Sequence, residues 1–251
     1  MIRERVIGSP FEQFEIHRII PIQLGELDLS ITNSTIYMIY ALVIYTVLYK
    51  INVEKGKVVP GRWQIIIEMT FGQIVSLVME NIGDGKYVPF IWTIFINIAI
   101  MNLVGLVPYT FTPTAHLIVG FGLSVSIVIG VTVMGLDNYG SNYLAAWMPS
   151  GSPIALAPLL VGIELVSHLA KAVSLGARLV ANITAGHLLF CILSGFAFKM
   201  MIAGGVITIL SIFPILIVLF ITVLEMAVAL IQAYVFSILT AIYINDAVHI
   251  H

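Results

Sequence analysis

Two stretches of the chain, about 153–200 and about 205–246, stay apolar for much longer than a soluble helix needs. As helices at ~1.5 Å per residue each would extend ~60–70 Å, twice the ~30 Å of a bilayer's hydrocarbon. Neither has a strong internal stop except Pro214, near the start of the second. The simplest solution is two long, strongly tilted helices joined by a short turn near Met201–Gly205. Composition points the same way: 60% of residues are hydrophobic and 10% are charged. A soluble domain carries about 25% charged residues, so this chain cannot cover a globular surface in water and its solvent is largely lipid. The formal net charge is only −2 and the 11 Lys+Arg are scattered, which gives no basis for binding nucleic acid. A single cysteine, Cys191, excludes an intrachain disulfide, and no Cys/His spacing suggests a metal site. No metal and no cofactor are expected.

Residues 1–30 form a mixed N-terminal segment, with charges from Arg3 to Asp28 and no apolar stretch of the secretory type. The expected spans lie near 31–50, 88–107, 115–136, 153–200 and 205–246. Pro108, Thr112, Pro113 and Thr114 break the second from the third. Between the first two spans, Gln64, Glu68, Gly72, Ser76 and Glu80 recur every fourth position. That narrow polar stripe predicts an amphipathic helix over 62–82 lying in the membrane interface, with a sixth span as the alternative. The fold class is therefore an all-α polytopic membrane protein. It has about five transmembrane helices plus one interfacial helix, and the last two spans form a hairpin. The cationic loop around Lys50, Lys55, Lys57 and Arg62 is placed inside. Five crossings then put the N-terminus outside and the C-terminus inside.

The long runs carry Glu164, His168, Lys171, Arg178, Asn182, His187, Glu225, Gln232 and Asp246. A charge at mid-membrane costs at least ~2.5–3.5 kcal/mol on insertion scales, so such residues are functional candidates. For Lys171 and Lys199 an internal ion pair or a snorkelling side chain is the favoured reading. Glu164, Lys171 and Arg178 are seven apart and share a helix face, which His168 and Asn182 extend. His187, nine residues past Arg178, points to the other side of a 3.6-residue helix. The pairs Glu164/Asp246, Arg178/Gln232 and His187/Glu225 have midpoints near 205, so one hairpin at Gly204–Gly205 matches all three in level. Two protonatable sites at different depths, separated by a permanent cation, read as two half-paths for protons. Arginine cannot itself relay a proton, because its pKa stays above ~12. Ala177, Ala181, Ala185 and Gly186 flank Arg178 and Asn182 and would let another helix approach closely. Asn33-Ser-Thr and Asn182-Ile-Thr match a glycosylation pattern, and both are discounted.

With these residues in view, the chain resembles the subunit a family of the rotary ATP synthase membrane sector, in its mitochondrial, fungal-like form. The resemblance rests on Leu175–Leu189 (LGARLVANITAGHLL), Leu230–Thr240 (LIQAYVFSILT), Pro153–Glu164 and the N-terminal Ser9–Ile16 (SPFEQFEI). It implies that Arg178 is the essential arginine facing a ring of c subunits and that Asn182 and Gln232 are polar residues beside it. It implies that His187 and Glu225 form a His/carboxylate pair and that Glu164 and Asp246 are carboxylates of the matrix-side half-channel. It also implies peripheral stalk subunit b and other Fo subunits as partners, and a mitochondrial inner-membrane location with the N-terminus in the intermembrane space and the C-terminus in the matrix. Residues 1–8 are long enough to be a removable leader.

The expected function is proton translocation coupled to rotation of that ring. The chain has no phosphate-cradling loop and is not expected to be an enzyme by itself. A His187/Glu225 metal site is a weaker alternative, because two ligands alone bind poorly. An ion-coupled secondary transporter would show internal repeats and interrupted helices, and neither is found. A proton-pathway subunit of a respiratory complex would share the buried Glu, Lys and His but leaves the small-residue face around Arg178 unexplained.

Overall fold

The computed structural model describes residues 14–24, 27–54, 61–107, 110–140, 143 and 157–248. The helices are α1 (Asn33–Glu54), α2 (Arg62–Asn81), α3 (Val88–Gly105), α4 (Leu117–Tyr139), α5 (Ala157–Ala203), α6 (Val206–Leu210) and α7 (Ile212–Val248). Short 3-10 turns cover Gly85–Tyr87 and Pro113–Ala115. Ahead of α1, four brief strands form nested antiparallel ladders: β1 (Arg18–Ile20) pairs β4 (Ile31–Thr32), and β2 (Gln23–Leu24) pairs β3 (Leu27–Asp28). The all-α membrane class holds. Residues 85–105, 117–139, 159–203 and 207–248 are long and apolar enough to cross a bilayer. α1 has 22 residues, but Asn33, four tyrosines and Lys50 make it less apolar. The cationic loop at Lys55 and Lys57, Pro108, and most of the segment before α5 lie outside the described residues.

α5 runs for 47 residues, about 70 Å at ~1.5 Å per residue, as the uninterrupted apolar run requires. It stops because Gly204 and Gly205 take φ of +77° and +64°, a left-handed geometry that side chains resist. The turn therefore falls where the sequence puts it. The second run differs from expectation, since α6 and α7 part at Ser211. Pro214 is the physical reason: it has no N–H for the Leu210 carbonyl, and its ring crowds that carbonyl. Buried Ser211 caps the break, with its Oγ donating to Thr208 O at 2.6 Å.

The chain divides into two compact units. The first joins the N-terminal segment and most of α1 to residues 97–116 and 179–232. Its core includes Ala41, Ile98, Phe111, Leu179, Ile183 and Ala229. The second combines residues 47–96, 117–178 and 233–251. There the buried stripe of α7 is Ala233, Phe236, Ser237, Thr240, Ala241, Ile244 and Ala247. That three-and-four spacing is one narrow helix face, mostly of small residues. Such a face suits packing in lipid, where close van der Waals contact replaces the hydrophobic drive. Ser237 and Thr240 return their hydroxyls to the carbonyls of Ala233 and Phe236, each at 2.9 Å. α2 buries Ile74, Leu77 and Val78, while Glu68, Gly72, Ser76 and Glu80 of the polar stripe are exposed. α4 and α5 touch at Gly176, where an added Cβ would come within 2.7 Å of Ser124 Oγ and 3.0 Å of Gly120 O.

Candidate functional site

Within the first unit, α5, α7 and the segment 110–116 bring polar side chains into an apolar setting. Glu225 on α7 is only 7% exposed, and its Oε1 has no hydrogen-bond partner. It fits because residue 186 is glycine: a Cβ there would collide with that oxygen. One residue on, His187 Nε2 lies 3.2 Å from Thr112 Oγ1. The same hydroxyl donates to Gly105 O at 3.4 Å. Thr112 is thus within hydrogen-bond reach of both the imidazole and a backbone carbonyl, and a hydroxyl can donate to or accept from the ring. Phe14 stands edge-on to the imidazole, with centroids 6.4 Å apart at 87°.

His187 and Glu225 line one cavity of about 980 Å3, together with Glu15, His17, Asn33 and Tyr37 among others. Among the described residues no hydrogen bond or ion pair joins His187 to Glu225. Their association is a shared wall, with Thr112 as the direct partner of the imidazole.

Deeper along α5 and α7, Asn182 Nδ2 donates to Gln232 Oε1 at 2.9 Å. Gln232 is 3% exposed, and its Nε2 finds no acceptor. The hydrogen-bond partner of Gln232 is thus Asn182, which the sequence had placed with it among the supporting polar residues. Asn102 of α3, 1% exposed, donates to Ala229 O at 3.3 Å. Its Oδ1 is another buried acceptor without a partner.

The second unit holds the charged residues. Lys171 Nζ is 3.2 Å from Asp246 Oδ2 and 5.4 Å from the centre of the Tyr243 ring. An ion pair is the reading the sequence favoured for Lys171. Glu164 is half-buried, and the charges of Lys171, Glu164 and Asp246 all act on His168. Tyr139 OH donates to Val248 O near the end of α7. Arg178 is exposed, and no hydrogen bond or ion pair ties it to another described residue. Among the described residues no three His, Cys, Asp or Glu side chains converge as a metal site would need.

Sequence reasoning missed Asn102 and the role of Thr112. Asn102 stands out as a polar residue late in an otherwise apolar run. Thr112 read as a loop breaker because nothing local in sequence reveals a partner 75 positions away.

Comparison with known proteins now bears on these residues. Residues 34–245 match the family described as ATP synthase A chain. The chain belongs to the ATP synthase subunit a family. It is 48% identical over 241 residues to ATP synthase subunit a of Metridium senile, covering 96% of this chain and 98% of that one. To ATP synthase subunit a of Mycosarcoma maydis it is 42% identical over 251 residues, covering 98% and 99%. To that of Marchantia polymorpha it is 41% identical over 249 residues, covering 97% and 99%. Subunit a belongs to the membrane sector of ATP synthase, so ATP synthesis and proton transport are the activities this chain serves.

Proposed function

We propose that this chain is the proton-conducting stator of a mitochondrial ATP synthase and that it presents Arg178 to a ring of c subunits between two offset half-paths. The observation that carries the reading is Arg178 itself, exposed and unpaired among the described residues on a long apolar helix. A guanidinium in hydrocarbon is costly, so it calls for an anion outside this chain. A ring carboxylate that arrives, loses its proton and leaves would be that anion. Nearby arginine lowers a carboxylate pKa by ~1–3 units and favours the ionised form.

In this mechanism a proton from the intermembrane space enters the cavity and passes His187 and Glu225 to neutralise a ring carboxylate. Neutral, the carboxylate can face lipid. After most of a turn it releases the proton near Glu164 and Asp246, toward the matrix. Asn182 and Gln232, hydrogen-bonded to each other, are the supporting polar residues of this mechanism. Each charge crossing 100 mV releases ~2.3 kcal/mol. The chain makes no covalent bond itself; it works with the ring, subunit b and other Fo subunits. Its N-terminus faces the intermembrane space and its C-terminus the matrix.

The test is ATP synthesis by the intact complex. Arg178→Ala should abolish coupled synthesis while the complex still assembles. Arg178→Lys should fail too, since lysine lacks the planar fork and can lose its proton when desolvated. Normal synthesis by either variant would sink the proposal.

A further inference from the structure

The cavity has a second pair of titratable side chains that the mechanism above does not use. Glu15 and His17 line the same wall as His187 and Glu225 and are themselves exposed. They come from the segment just ahead of β1, far from α5 and α7 in sequence. Their position is fixed by Asn33 at the start of α1. Asn33 Nδ2 donates to Glu15 O at 3.0 Å, and Asn33 Oδ1 accepts from His17 N at 3.3 Å. The Asn33 backbone N–H donates to His17 O at 3.1 Å. One residue thus holds the backbone of both titratable residues. The segment also reaches the inner pair directly, because Phe14 packs edge-on against His187.

We propose that Glu15 and His17 form a proton-collecting mouth on this cavity, held by Asn33, which loads the inner pair from the outer solution. The proposal rests on the cavity being the intake path. The chemistry is that of a carboxylate beside an imidazole, two side chains that exchange protons with water. Exposed groups of this kind take protons from solvent and buffer and release them to a nearby acceptor. The inner acceptor is Glu225, buried with one carboxylate oxygen unpartnered. The other titratable groups on the cavity wall are Tyr37, His187 and Cys191, and Arg18 follows His17 in the chain. A mouth of this type matters most when protons are scarce, and mobile buffer can replace it.

The experiment uses the intact complex in vesicles under an imposed potential, with the rate of ATP synthesis as readout. The Glu15→Gln/His17→Gln double variant is compared with the parent chain at acidic and alkaline outer pH, in weak and strong imidazole buffer. In weak buffer at alkaline pH the rate should fall by about tenfold, the low end of the range over which local charge alters association rates. Strong buffer or acidic pH should restore it. An unchanged rate under every condition would overturn the proposal. So would an equal loss under every condition without rescue, because that is the mark of a structural wall. The single variants Glu15→Gln and His17→Gln, each close to isosteric, serve if the double variant assembles poorly, and each should show a smaller loss of the same pattern. Glu225→Gln, measured alongside, separates the two readings. Normal synthesis there removes the intake path altogether, whereas a normal double variant with an impaired Glu225→Gln removes only the mouth.

Discussion

The cavity in the first unit and the charged cluster in the second differ in how they treat their titratable groups. Glu225 is nearly fully buried and keeps one oxygen unpartnered, and the only other carboxylate among the described residues lining its cavity is that of exposed Glu15. Asp246 is half exposed, is already ion-paired to Lys171, and shares its surroundings with Glu164 and His168. A buried acceptor without a partner is expensive, and a fold keeps one only where it has work to do. An exposed ion pair is worth ~0–1 kcal/mol and is easily replaced. The comparison separates a singular site, where one atom matters, from a redundant one, where several groups can exchange a proton.

The sharpest way to break this contrast is substitution at Glu225. Glu225→Gln should cut proton conduction by about a hundredfold, the scale of losing a proton-transferring group. His187→Ala should cut it by less, roughly tenfold, because the imidazole assists at a wall that Glu225 still occupies. The two residues share one cavity, so the double variant should cost less than the separate effects combined. Passive proton uptake by vesicles stripped of the catalytic head measures all three.

Thr112 comes next. Thr112→Val removes the hydrogen-bond partner of the His187 imidazole and should slow conduction by roughly fivefold, the equivalent of about 1 kcal/mol for one hydrogen bond. Thr112→Ser keeps the hydroxyl and should restore most of the rate. Equal loss in both variants would mean that the methyl packing, and not the hydrogen bond, matters.

The smallest effect is expected in the charged cluster. Asp246→Asn or Lys171→Met should change conduction by less than about threefold and stability by under about 1 kcal/mol, as for other exposed pairs. A loss as large as that of Glu225→Gln would erase the distinction between singular and redundant sites.

The fold was legible in sequence wherever lipid dictates it. Uncharged length announced α3, α4, α5 and the last run, and Gly204–Gly205 announced the turn. Pro214 was visible as the one strong internal stop of the last run, and the helix parts at Ser211, about one turn before it. Periodicity gives helix faces well, but the hydrogen-bond partner of one polar side chain, such as Asn182 for Gln232, depends on packing it does not encode. Arg178, His187 and Glu225 stood out because charge in an apolar run is rare. Asn102 and Thr112 did not, since neutral polar residues become functional only through partners distant in sequence. Glu15 and His17 lie in a mixed, polar segment, where composition cannot tell a cavity wall from a tail.

The central claim is that protons reach the ring through Glu225 and that Arg178 keeps the intake path from leaking into the exit path. It is tested most directly by passive proton conductance of the membrane sector, with the head removed, in Arg178→Ala and in Arg178→Ala/Glu225→Gln. The account predicts a raised leak in the single variant and its collapse in the double variant, because the leak must still pass Glu225. A raised leak that persists undiminished in the double variant would contradict it.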